Sequence, residues 1–259
     1  MSPADGPTLE GLRVAVTRPD GSAGGMAAAL SARGAVVFAH PAIRLAPPED
    51  PAPLADAARR LAGYDWVLFT SANGVRRFAR ALEEAGGDPA SSPRVACVGP
   101  ATAAAAREAG FPPGLTAARH LSEGLVETLK QAGSLDGRRV LLPRSQGGSD
   151  VLPDALRALG AEVDEVVAYR PVADAEALGS LARRVADGEV DVVALASASA
   201  ASACAGRIGT GGVLFACIGP VTAAAARASG LAPLIVAEEH TGAGLVRALE
   251  TWRRGGSRL

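Results

Sequence analysis

The chain has 259 residues, 48% of them apolar and 20% charged, with a formal net charge of −1. Its length favours two domains, each able to bury a core, and the near-neutral balance argues against a general binder of nucleic acid or of acidic membranes, which needs a basic surface. Cys97, Cys204 and Cys217 form neither a CxxC pair nor an even set, which argues against a disulfide framework or a zinc site and leaves them as small buried apolar residues.

The opening segment MSPADGPTLEGLR has no basic start followed by an apolar run, and no apolar stretch approaches membrane-spanning length, so a cytoplasmic location is expected. From there, short β-branched runs alternate with Ala/Leu/Arg segments of helical period, the sign of parallel βα units. Strands are predicted at 13–17, 35–39, 65–70, 94–98 and 115–118, with helices at 23–33, 53–62, 74–85, 101–109 and 122–131. The second half repeats the series. RVAVTRP from Arg13 faces RVLLPRS from Arg139, and DWVLFTSANG sets Ser71 opposite Ser197 of DVVALASASA, both at an offset of 126 residues. The offset falls to 120 where CVGPATAAAAREAG from Cys97 faces CIGPVTAAAARASG from Cys217, with ten of fourteen positions identical. HLSEGLVETL from His120 faces HTGAGLVRAL from His240 at that same offset. Two segments, VVFAHPAIRLAPP and EVDEVVAYRPVA, continue as extended runs past ordinary strand length and are read as bridges between two α/β domains.

Sheets of this kind bind ligands beyond the carboxyl ends of their strands. In CVGPAT the strand ends, Gly99 turns, Pro100 opens a helix and Thr102 sits in its first turn; Pro220 and Thr222 repeat the arrangement. Such a helix start is an anion site with the hydroxyl as an added donor, and equally an efficient strand-to-helix turn. Ser71 and Asn73 in one half, and Ser197 and Ser199 in the other, are candidate donors beside those corners or helix caps. Arg18 and Arg144 follow the first strand of each half. Arg144 leads into RSQGGS, in which Ser145, Gly147 and Gly148 form a glycine-rich loop suited to carboxylates. The loop has no P-loop Lys and no dinucleotide-binding spacing. Tyr169 breaks the repeat, its partner being Ile43, and a phenol suits a general acid as well as a packing role. His40, His120 and His240 are too scattered for a metal site.

RVAVTRP, FTSANGV, RVACVGPATAAAAREAG, VLLPRSQGG, ALGAEVDEVVAYRPV and CIGPVTAAAARASG followed by AEEHTGAGLV, in this order over nearly the whole chain, resemble the uroporphyrinogen-III synthase family. The resemblance implies two flavodoxin-like parallel-sheet domains from an internal duplication: residues 1–38 with 172–259, and residues 48–162, joined by linker strands 39–47 and 163–171. It implies a chain that cyclises hydroxymethylbilane, losing water and inverting the last ring, with no cofactor; nothing in the residues suggests a metal or an obligate oligomer, so a monomer is expected. Donors on both walls of a cleft would then meet the carboxylates of the bilane. Tyr169 matches the family's Tyr thought to assist loss of the hydroxyl, and Thr102, Ser197 and Thr222 match cleft-lining positions. Ser149 departs from bacterial relatives, which often carry Arg after the paired glycines. A non-catalytic tetrapyrrole-binding or regulatory protein on the same scaffold is the alternative, and transient contact with hydroxymethylbilane synthase is left open.

Overall fold

Strands covered by helices on both faces must be apolar on both sides, and Trp66–Phe69 and Val192–Leu195 are buried at every position. The computed structural model describes residues 8–18, 25–117 and 122–255. In chain order the elements are β1 (Arg13–Val16), α1 (Met26–Ser31), β2 (Val36–Ala39), β3 (Ile43–Ala46), α2 (Ala52–Arg59), β4 (Trp66–Phe69), α3 (Ala72–Glu84), β5 (Arg94–Cys97), α4 (Pro100–Glu108), β6 (Pro113–Thr116) and α5 (Ser122–Ala132). They continue with β7 (Arg139–Ser145), α6 (Val151–Ala158), β8 (Glu162–Ala173), α7 (Ala175–Ala186), β9 (Val192–Leu195), α8 (Ala198–Cys204), β10 (Leu214–Cys217), α9 (Pro220–Ala228), β11 (Pro233–Val236) and α10 (Gly242–Arg254). The predicted helix 23–33 and strand 115–118 run partly into residues outside the described ones.

The chain divides into two compact units, Met1–Arg44 with Val172–Leu259, and Leu45–Pro171. One sheet has the order β11-β10-β9-β1-β2 and the other β3-β8-β7-β4-β5-β6. Pairing is parallel from β2 through β11 in the first sheet and from β8 through β6 in the second. Setting β3 aside, the first sheet has the flavodoxin order 2-1-3-4-5, whereas the second, counted along the chain, is 3-2-1-4-5, a circular permutation of the same arrangement, with the sequence direction reversing between β1 and β9 in one and between β7 and β4 in the other.

Alternation along the strands sends successive side chains to opposite helical layers. In the Leu45–Pro171 unit, Val67, Phe69, Val95, Cys97 and Leu141 pack under α2, α3 and α4, while Trp66, Leu68, Ala96, Val140 and Leu142 pack under α5 and α6. Phe69, Phe78 and Phe111 form a tilted aromatic trio with centroids 5.2–6.0 Å apart, where a truncation to Ala costs about 3–5 kcal/mol. The other unit repeats the scheme with Ala15, Val193, Leu195, Phe215 and Cys217 on one face and Val14, Val16, Val192 and Ala194 on the other. Cys97, Cys204 and Cys217 are buried, and burial pushes each thiol up to about 11.

The two segments that repeat in sequence also share a hydrogen-bond pattern. Arg13 N–H donates to Asp191 Oδ2 at 2.8 Å and Asp191 N–H to the Arg13 carbonyl at 2.9 Å. Arg139 N–H donates to Asp65 Oδ2 at 2.9 Å and Asp65 N–H to the Arg139 carbonyl at 2.8 Å. Each Asp thus pins the first residue of the neighbouring central strand. One expectation needs correction: VVFAHPAIRLAPP is not a single long strand. It breaks into β2 and β3 because Pro41 has no N–H and its neighbours turn to β1, His40 N–H donating to the Val16 carbonyl and Ala42 N–H to the Thr17 carbonyl, both at 2.9 Å. EVDEVVAYRPVA is continuous as the 12-residue β8.

Candidate functional site

In the Leu45–Pro171 unit the carboxyl ends of β8, β7, β4 and β5 lie along one edge, and the reversal between β7 and β4 makes that edge the expected ligand position. Ser71 caps α3, its Oγ accepting from Gly74 N–H at 3.0 Å. Gly74 lets the helix start pack closely there, since a Cβ would lie 3.2 Å from the Pro143 carbonyl oxygen of β7. That close approach brings Ser71 across β7 to the next strand, where its Oγ lies 3.1 Å from Tyr169 Oη. Tyr169 is half-buried, its body packed against the core around Phe69, and its backbone pairs with Ser145, with Gln146 N–H donating to its carbonyl at 2.9 Å. Asn73 is exposed on the first turn of α3. The structure therefore joins Tyr169, Ser71 and Ser145, which lie far apart in sequence.

Arg144 behaves differently from the expectation of a free guanidinium for a substrate carboxylate. Its side chain is only 11% exposed and is ion-paired to Glu165 and, at 3.1 Å, to Asp150; it also donates to the Ser149 carbonyl at 3.0 Å. Gly147 has φ +68°, and a Cβ on Gly148 would lie 3.1 Å from the Arg144 guanidinium, so the glycines let the loop fold onto the arginine. Arg144, Ser145, Gln146, Gly147, Gly148, Asp150 and Glu165 line a cavity of about 260 Å³. With two carboxylates against one guanidinium, that cavity does not favour an anion.

The Gly-Pro-x-Thr corners also need correction. Gly99 (φ +78°) and Pro100 begin α4, and Gly219 and Pro220 begin α9. Yet Thr102 and Thr222 are only 5% and 4% exposed, so their side chains are not open surface donors. The third helical position faces the sheet under a helix lying flat upon it, whereas Pro100, Ala101, Pro220 and Val221 face outward. What each corner offers is backbone: the N–H groups of the first turn have no intrahelical acceptor. At the second corner a Cβ on Gly219 would lie 2.7 Å from His240 Cδ2, so the His240 imidazole rests on the turn. Sequence reasoning misses this place of His240; the signal is the His that opens HLSEGLV and HTGAGLV alike. His120 lies outside the described residues.

In the other unit Arg18 is exposed after β1. Ser197 caps α8, accepting from Ala200 N–H at 3.2 Å, and its Oγ lies 3.1 Å from that of the exposed Ser199. These residues stand at the β1–β9 reversal, where Thr17 is buried and donates to the Ala194 carbonyl at 2.7 Å. Burial and the nearby Arg184 charge lower the His40 pKa. Among the described residues no three His, Cys, Asp or Glu side chains cluster as metal ligands, and no helix is long and apolar enough to cross a membrane.

The family model described as uroporphyrinogen-III synthase HemD matches residues 25–247. The uroporphyrinogen-III synthase of Synechococcus elongatus is 28% identical over 258 residues, covering 95% of this chain and 97% of that protein. A putative uroporphyrinogen-III synthase of Methanothermobacter thermautotrophicus is 30% identical over 186 residues, covering 71% of this chain and 73% of that protein. Solved structures of a uroporphyrinogen III synthase mutant from Thermus thermophilus (24% identity, TM-score 0.57, 94% of this chain and 98% of that one) and of uroporphyrinogen-III synthetase from Helicobacter pylori (13%, 0.60, 93% and 99%) share the fold. With the match running through both units, the chain belongs to the uroporphyrinogen-III synthase HemD family.

Proposed function

We propose that the chain cyclises hydroxymethylbilane to uroporphyrinogen III, a lyase reaction in which water leaves and the last ring is inverted, with Tyr169 as general acid. The observation that carries this reading is the Tyr169 hydroxyl held 3.1 Å from Ser71 Oγ at the carboxyl edge of the sheet, half-buried and bonded to no carboxylate among the described residues. The other tyrosine, Tyr64, is bonded to Asp164, and burial with that partner pushes it up to about 12, which unfits it for proton donation.

The phenol gives its proton to the terminal hydroxyl of the bilane as the C–O bond breaks, and the pyrrole nitrogen supplies the electron pair, leaving an azafulvene cation and water. The substituted carbon of the last ring attacks the cation to form a spiro intermediate, which fragments and recloses the other way round. The proton lost on re-aromatisation restores the phenol, so no electrons are exchanged with a cofactor. Backbone N–H groups at the starts of α4 and α9 are suited to substrate carboxylates, and orientation contributes more than proton transfer to such a reaction.

The test is incubation with freshly made hydroxymethylbilane and chromatographic separation of the isomers. Type III product is expected; type I alone, the isomer of spontaneous closure, would sink the reading.

A further inference from the structure

Ser71 carries one proton and two lone pairs. One lone pair is taken by Gly74 N–H at 3.0 Å, a bond fixed by the cap of α3 and by the fit of Gly74 over Pro143. Tyr169 Oη, 3.1 Å away, can then either receive the Ser71 proton or give its own. The two choices have opposite chemical consequences. If the phenol donates to Ser71, its proton is spent within the protein, as that of Tyr64 is spent on Asp164. If Ser71 donates, the phenolic proton is left for another acceptor, and the Ser71 proton stays in place to stabilise the phenolate once transfer has occurred.

Three features favour the second arrangement. The Gly74 N–H polarises Ser71 Oγ and makes its O–H a better donor. The positive end of α3, 13 residues long and capped by Ser71, lies beside the oxygen that becomes negative. The repeat partner Ser197 makes the same cap but bonds Ser199, in the half where Ile43 replaces the tyrosine. Resting on the acid role of Tyr169, we propose that Ser71 is a positioning residue whose hydroxyl donates to the Tyr169 oxygen and so directs the phenolic proton to the leaving hydroxyl of the substrate.

The experiment compares Ser71→Thr, Ser71→Asp and Ser71→Ala with the parent enzyme, reading kcat, KM, Tm and the tyrosine Cζ resonances of 13C-labelled protein. The two tyrosines are assigned with Tyr169→Phe. Thr keeps both cap and donor, and its kcat stays within about threefold. Asp caps a helix as well as Ser but, ionised, can only accept; Tm is held while kcat falls about ten- to thirtyfold, the scale of one charge-assisted hydrogen bond. In that variant the Tyr169 resonance moves and that of Tyr64 does not. Parental kcat in Ser71→Asp, or kcat in the three variants that merely follows Tm, overturns the assignment. The two readings fail separately. Parental turnover in Tyr169→Phe removes the acid, whereas an unmoved Tyr169 resonance in Ser71→Asp removes Ser71 whatever the turnover.

Discussion

Glu165 on β8 binds two guanidinium groups at once, that of Arg144 and, at 2.6 Å, that of Arg157. Arg144 is thereby a brace for the glycine-rich loop. Arg144→Leu is expected to raise amide hydrogen exchange across 146–149 by at least about tenfold, the equivalent of one lost hydrogen bond, while KM for the bilane rises less than about tenfold. A KM increase of several hundredfold with unchanged exchange would return Arg144 to direct substrate contact.

Tyr169→Phe removes a hydroxyl and leaves the ring packed against the Phe69 core. Turnover to type III product is expected to slow about ten- to a hundredfold, at or below the lower end of general-acid contributions because orientation carries most of the rate, with Tm lowered by no more than about 4 °C. Single-turnover assays with fresh bilane, paired with thermal melts, read both quantities.

Partial burial works to raise the Asp191 carboxyl, but hydrogen bonds from Arg13 and its charge overcome this and hold it below its ordinary value. A carboxyl lowered on folding adds stability above its unfolded value, about 3.9, and that stability is lost as pH falls through the folded value. Asp191→Asn should therefore melt below the parent at pH 7. The gap should narrow below about pH 4, and melts from pH 7 to pH 2 would show it; a gap constant across that range would mean the ion pair does not contribute.

Gly244, in the first turn of α10, lies so close to the preceding chain that an added Cβ would lie 2.1 Å from the Glu239 carbonyl oxygen. Its N–H donates to the Thr241 cap at 3.0 Å. Gly244→Ala is expected to force the two apart and lose the cap, costing about 1–3 kcal/mol. Urea unfolding would register this as a lower midpoint with an unchanged slope.

The βα series was legible because buried parallel strands must be continuous apolar runs, and helices lying on them must show a period. The sequence direction of each sheet could be anticipated only through family likeness, since nothing local in Arg13–Val16 says which strands will flank it. The site was legible as a set of strand ends and illegible as contacts. Arg144 looked free because its partner Glu165 lies on the next strand, a relation that only the β7–β8 pairing creates. Thr102 and Thr222 looked like surface donors because a Pro-x-Thr helix start says where the first turn is and not which of its positions lies against the sheet. Ser71 could be named from its cap pattern, but its approach to Tyr169 depends on Gly74 meeting β7, which no spacing rule reports.

The place of β1 has a consequence for biogenesis. Its neighbour β9 is made only after the entire Leu45–Pro171 unit, which is one uninterrupted stretch of chain. On the ribosome that stretch can close its sheet while β1 and β2 wait, apolar and half-partnered, for β9 to emerge. The first strand among the described residues is thus among the last to be enclosed, and a nascent chain stalled before residue 192 would expose Val14 and Val16 to chaperones.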